Sequence, residues 1–227
     1  MKKIKIHKEG YSILLVIALL LIVSNVLIWR TDASLALKAT NIVVTFALYG
    51  FIAFFFRNPS RVIEVDDNNM VIAPADGRVC AIEPTEVYEF FGGEKMMQVS
   101  IFMSPLSVHA NWYPISGRIL YTKHHKGRHV AAYLPKSSSE NERSVTVIEC
   151  ANGNRIMAQQ VAGAMARRIV TYAATGHPCS INEHMGFIKF GSRMDLFLPV
   201  DSKIFVDLHE ATKGNETIIA RLPDRNL

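Results

Sequence analysis

Residues 186–199 read GFIKFGSRMDLFLP: two short apolar runs separated by one Gly-Ser pair, Gly191-Ser192. Aromatic and branched aliphatic residues suit the pleated, half-buried surface of a sheet, so each run reads as a strand. Taken alone, Gly-Ser between them reads as a turn. The same grammar continues outward in both directions. Strand-like runs occupy 71–73, 98–103, 145–150, 155–161, 185–190, 194–198, 203–208 and 217–222. Turn formers punctuate them at Asp76-Gly77, Gly92-Gly93, Asn152-Gly153-Asn154 and Gly176-His177-Pro178. Many short strands at close spacing predict a mainly β sandwich or barrel. Residues 86–91 and 163–166 are expected to form short helical pieces. The chain has no repeat and no low-complexity stretch.

Before residue 57 the pattern is different. The stretch YSILLVIALLLIVSNVLIW, residues 11–29, carries no charge and has the roughly 20 residues a bilayer demands. It runs into Trp29-Arg30 without a small-residue cleavage site, which favours a span over a removed signal. NIVVTFALYGFIAFFF, residues 41–56, extends back to about 37 as a second span, with an interfacial or re-entrant helix as the alternative. Lysines precede the first span and Arg57 and Arg61 follow the second. By the positive-inside rule both ends of such a hairpin face the cytoplasm. The expected organisation is a membrane anchor over 1–57, with spans near 11–29 and 37–56, and a β domain over 58–227.

The 227 residues carry a net charge of +5, with hydrophobic residues at 49% and charged ones at 20%. That excludes a disordered or fibrous chain. Lys2, Lys3, Lys5, Lys8, Arg57 and Arg61 flank apolar stretches and are not interleaved with aromatics. Contact with anionic lipid is therefore expected, with Arg57 and Arg61 as membrane anchors, and nucleic acid is not. Cys80, Cys150 and Cys179 are odd in number and form no CxxC, against both a disulfide framework and a thiolate zinc site. His124, His125 and His129 cluster in sequence. Gly127 intervenes and no Asp or Cys stands at ligand spacing, so they are expected to form a solvated basic loop and no metal site.

Four segments together resemble the phosphatidylserine decarboxylase family, in particular its short bacterial and archaeal branch. They are FFRNPSR (55–61), APADGRV (73–79), SIFMSPLSVHANWYPISG (100–117) and GFIKFGSRMDLFLP (186–199). SSSENER (137–143) and QQVAGAMARRIV (159–170) also match that branch. The resemblance implies a barrel-sandwich hybrid β fold related to lipoyl carriers. It also implies a proenzyme that cleaves itself between Gly191 and Ser192 into chains 1–191 and 192–227, leaving Ser192 as a covalent pyruvoyl cofactor. The activity implied is decarboxylation of membrane phosphatidylserine to phosphatidylethanolamine.

Within that resemblance the residues take roles. Gly191 pays no Cβ penalty in a strained backbone, and Ser192 supplies the hydroxyl that attacks its carbonyl. A serine hydroxyl needs a base, and His109, the only histidine in the SPLSVHANW motif, is the candidate. Asp76 is the candidate to orient His109, alongside its plain fitness as a turn former. Where larger members of the family carry a further histidine, this chain has Leu106. For the substrate phosphate the candidates are Arg193, Arg167 and Arg168, with Arg193 expected to point away if its segment is a strand. The expected partners are the lipid and the two pieces of its own chain, on the cytoplasmic side of the cell membrane, with a homo-oligomer left open. The alternatives are a serine ether lipid as substrate, and a tethered, non-catalytic carrier module. Lys189 lies in an apolar strand pattern and not in a tight turn, which disfavours the carrier.

Overall fold

The computed structural model describes residues 4–128, 140–163, 168–189 and 192–225. The chain divides into two compact units, Met1–Ser60 and Arg61–Leu227.

The first unit is a helical hairpin. A short strand β1 (Ile4–Ile6) precedes helix α1 (Tyr11–Trp29), and helix α2 (Leu35–Phe55) is followed by strand β2 (Arg57–Pro59). Neither helix contains proline, and the Ser34 hydroxyl caps α2 by accepting from the Leu37 amide at 3.4 Å. Both helices are long and apolar enough to cross a membrane. Polar side chains join them at mid-length. Asn25 Nδ2 donates to Thr45 Oγ1 at 3.1 Å, and Asn41 Nδ2 donates to Asn25 Oδ1 at 3.0 Å. In hydrocarbon such bonds have no water to compete with. β1 and β2 pair antiparallel, Ile4 opposite Pro59 and Ile6 opposite Arg57, so the chain enters and leaves the hairpin at the same end.

The second unit is mainly β. Its strands in chain order are β3 (Met70–Ile72), β4 (Gly77–Val87), β5 (Glu94–Met103), β6 (Ala110–Trp112) and β7 (Gly117–His125). There follow β8 (Arg143–Glu149), β9 (Arg155–Ala162), β10 (Arg168–Thr171), β11 (Pro178–Cys179) and β12 (His184–Lys189). β13 (Ser192–Pro199), β14 (Lys203–Ile204), β15 (Ala211–Thr212) and β16 (Ile218–Arg221) complete it. Eight strands form one curled antiparallel sheet in the order β11-β7-β8-β9-β13-β5-β4-β15. Two three-stranded sheets accompany it, β10-β12-β6 and β14-β16-β3.

β13 lies inside the large sheet, paired to β5 on one side and β9 on the other. Its alternate residues Met194, Leu196 and Leu198 enter the main core with Val99, Ile101, Ile156 and Ala158. The opposite face sends Phe197 into a second apolar cluster with Val145, Val147 and Met157. Burial on both faces explains why this stretch reads as an almost continuous apolar run.

Three expectations need correction. Residues 86–91 are not helical: β4 runs through Val87 and a turn follows, in which Phe90 adopts φ 67°. Residues 203–208 hold only the two-residue strand β14. His124 and His125 end strand β7 and do not lie in a loop. His125 Nε2 lies 2.7 Å from Glu89 and His124 Nε2 3.4 Å from Glu142. His129, and residues 164–166 of the other expected helical piece, lie outside the described residues.

Candidate active site

Ser192 opens β13, opposite Met103 of β5 and Ala162 of β9, and is fully buried. Two-sided pairing anchors its backbone from the first residue of the strand. Its hydroxyl donates to Met103 Sδ at 3.2 Å. Gly191, the expected partner in cleavage, lies outside the described residues.

His109 directly precedes β6, and β6 pairs with β12. The Ile188 amide of β12 donates to the His109 carbonyl at 3.3 Å. β12 ends at Lys189 and β13 begins at Ser192, so a two-residue link joins the strand beside His109 to the strand that carries Ser192. The imidazole is fully buried, and its Nδ1 donates to the Ser107 carbonyl at 2.9 Å. A carbonyl only accepts, so Nδ1 carries a proton, and in the neutral form of the ring Nε2 is the basic nitrogen. The orienting contact expected from Asp76 is thus made by Ser107.

The Asp76 carboxylate is engaged elsewhere. Arg61 Nη1 bonds Asp76 Oδ1, and Arg61 Nη2 donates to Asp76 Oδ2 at 2.9 Å. The Gly214 amide donates to Oδ1 at 2.8 Å. Arg61 also approaches Glu216 at 3.7 Å and stacks over the Trp112 ring, 5.3 Å from its centroid. Trp112 stands three residues after His109 at the end of β6, so the Asp76–Arg61 pair braces the strand that presents the histidine. Arg61 was expected as a membrane anchor. Instead its largely buried side chain serves as this brace.

Of the phosphate candidates, Arg193 projects to the face of β13 opposite Ser192. There it meets Asp195 through Nε–Oδ1 at 2.8 Å and Nη2–Oδ2 at 3.2 Å, both residues almost fully buried. Arg168 is exposed at the start of β10, directly across from Lys189. Arg167 lies outside the described residues.

The sequence reading missed three residues near Ser192. Met103, Asn111 and Gln160 are buried, and the two amides are joined by Gln160 Nε2 donating to Asn111 Oδ1 at 2.9 Å. The available signal was the Gln159-Gln160 pair inside an apolar run, since an amide at a core position requires a partner.

Cys150 and Cys179 are buried, while Cys80 is half-buried near Arg193 and Asp195. Burial pushes Cys150 up to about 12 and Cys179 up to about 11, from an ordinary value of 9.0. Burial also raises Cys80, although Arg193 pulls it down. In the folded protein Cys150 and Cys179 should therefore stay protonated at pH 8 and resist iodoacetamide, reacting only once the chain is unfolded. Because the folded values lie above the unfolded one, their contribution to stability is complete below pH 9 and is lost as pH rises towards 11–12. Denaturant midpoints measured between pH 8 and 11 should fall accordingly.

The family model for phosphatidylserine decarboxylase matches residues 48–220. A phosphatidylserine decarboxylase proenzyme of Phocaeicola vulgatus is 49% identical over 225 residues, covering 98% of this chain and 97% of its own. That of Bacteroides thetaiotaomicron is 47% identical over 223 residues, with the same coverage. That of Cytophaga hutchinsonii is 46% identical over 217 residues, covering 95% and 97%. The chain is therefore an enzyme of the decarboxylase class. The chain belongs to the phosphatidylserine decarboxylase family. The carrier alternative falls with that membership.

Proposed function

We propose that this chain cleaves itself between Gly191 and Ser192, and that the mature enzyme converts phosphatidylserine to phosphatidylethanolamine at the membrane. The observation that carries the reading is the placement of Ser192. A fully buried hydroxyl opens a doubly paired strand, one short link from the strand that borders His109.

In the cleavage, His109 takes the Ser192 Oγ proton as Oγ bonds the Gly191 carbonyl carbon. The peptide C–N bond breaks, the Ser192 nitrogen takes a proton back from the imidazole, and an ester remains. Loss of the Ser192 Cα proton then expels the Gly191 carboxylate across the Cα–Cβ bond. One water replaces the nitrogen, which departs as ammonia. The residues fit the pyruvoyl group so formed: the Ser192 carbon that loses oxygen becomes a methyl, and its neighbours include the apolar thioether of Met103. Once formed, the group supplies a conjugated carbonyl that accepts the electrons released as carbon dioxide leaves. His109 holds or returns a proton in that chemistry, a role supported by its ring contact to Ser107 and by the Arg61–Asp76 pair against Trp112.

For the substrate phosphate, Arg168 is the favoured cation. It is exposed, and it faces the cation Lys189 across two strands that end beside the reacting link. Arg168→Glu should raise KM for phosphatidylserine in mixed micelles on the order of tenfold, since a charge-assisted bond contributes about 1.5–3 kcal/mol. The hairpin holds this unit at the cytoplasmic face, by the charge rule above. The test of the whole reading is the mass of the C-terminal fragment 192–227. It should be lighter by one ammonia than the same peptide beginning with serine, and resistant to N-terminal sequencing.

A further inference from the structure

Ser192 holds its hydroxyl against an unusual acceptor. Across the β13–β5 pair Ser192 stands directly opposite Met103, and its Oγ donates to the Met103 sulfur at 3.2 Å. The Asn111 amide nitrogen, from β6, donates to the same sulfur at 3.7 Å. Asn111 Oδ1 in turn accepts from Gln160 Nε2 at 2.9 Å, and Gln160 Nε2 also reaches the Val170 carbonyl at 3.4 Å. A carbonyl cannot donate, so the end of Gln160 shared by Val170 and Asn111 must be its NH₂. That fixes Asn111 with its oxygen towards Gln160 and its NH₂ towards Met103. Gly186 makes room for the arrangement: a Cβ there would lie 2.7 Å from Gln160 Nε2 and 2.2 Å from the Val170 carbonyl.

We propose that Gln160, Asn111 and Met103 form a positioning relay that holds the Ser192 hydroxyl for self-cleavage; the inference rests on the reading that the chain cleaves there. The chemistry of the acceptor is the reason. A carboxylate or carbonyl would hold the Ser192 proton in a bond that must be broken before the base can take it. A thioether is a weak acceptor, so it selects a rotamer and gives up the proton at little cost. It also cannot compete with Ser192 as a nucleophile for the neighbouring carbonyl without forming a charged sulfonium. Asn111 acts through Met103, fixing where the sulfur sits, and Gln160 acts through Asn111.

The test uses the full chain, made by cell-free synthesis into lipid nanodiscs. Appearance of the C-terminal fragment is followed in time, and the folded fraction is measured by near-ultraviolet circular dichroism in the same samples. Met103→Leu conserves volume and removes the acceptor. It should cleave at least about tenfold more slowly per folded molecule, as rotamer selection is lost. Asn111→Asp still accepts from Gln160 but has no donor for Met103 while ionised. Protonation restores an O–H where the amide N–H stood, so its cleavage rate relative to wild type should rise as pH falls from 8 to 5. A purely structural role would leave that ratio flat once corrected for folding. Cleavage of Met103→Leu within twofold of wild type, or a flat ratio for Asn111→Asp, overturns the relay. A wild-type chain that never cleaves overturns the underlying reading instead.

Discussion

Ser192→Ala leaves one intact chain of 227 residues that releases no carbon dioxide from phosphatidylserine. Both losses follow from a single atom. Without Oγ nothing attacks the Gly191 carbonyl, and without that attack no ketone forms at a new chain start. The substitution removes one buried hydroxyl that donates to a weakly accepting thioether, so folding should be nearly untouched. A full-length band on a denaturing gel, a wild-type melting curve and no labelled carbon dioxide form the expected set. Residual decarboxylation by the uncut chain would remove Ser192 from the chemistry. Ser192→Cys is the informative companion. A thiol is intrinsically more nucleophilic, but it is larger and sits less comfortably against the Met103 sulfur, so slow cleavage is expected.

How far the sequence revealed this site depended on the range of the interactions involved. The strands at 98–103, 155–161 and 194–198 were legible because burial on both faces of a central strand leaves a run in which apolar residues predominate. β4 and β7 were not. β4 contains Pro84, which a sheet interior excludes, yet β15 pairs only with Gly77 and Arg78, so Pro84 lies on an open edge. β7, GRILYTKHH, ends in four consecutive polar residues, Thr122 to His125, and its histidines suggested a loop. The turn at 88–93 was obscured by the run Glu89-Phe90-Phe91, which has no breaker until Gly92.

Among the candidate site residues, Ser192 and His109 stand in local motifs that a sequence displays. The partners of Asp76 were not legible, because Arg61 and Gly214 reach it only through tertiary folding. A sequence shows that Ala-Asp-Gly suits a turn; it does not show that the turn delivers the carboxylate to an arginine 15 residues earlier. The same holds for the Met103 sulfur. Its role exists only because register places it opposite Ser192, and a shift of one residue would turn it to the other face.

Strand alternation did place Arg193 away from Ser192, and the consequence is the second large effect expected here. Asp195→Ala should destabilise the β unit by about 3–5 kcal/mol, because it leaves a buried guanidinium without its carboxylate. Arg193 is bonded to Asp195 at 2.8 and 3.2 Å, and Gln159 Nε2 donates to the same carboxylate at 3.4 Å. Water cannot take over these bonds at a position that is almost fully buried between β5 and β9. In a domain of this size the loss corresponds to a melting point lower by roughly 10 °C. Replacing both members with apolar residues, Arg193→Met with Asp195→Leu, should recover most of it, since the larger cost lies in stranding one charge and not in lacking the pair. The pair occupies the face of β13 opposite the Ser192 hydroxyl, so the double variant separates two roles. If it melts near wild type and still cleaves, the ion pair serves the fold alone. If it melts near wild type and fails to cleave, the charges beneath the strand also tune the backbone at the scissile link. Thermal melts of the single and double variants, with fragment yield read from the same samples, decide between them.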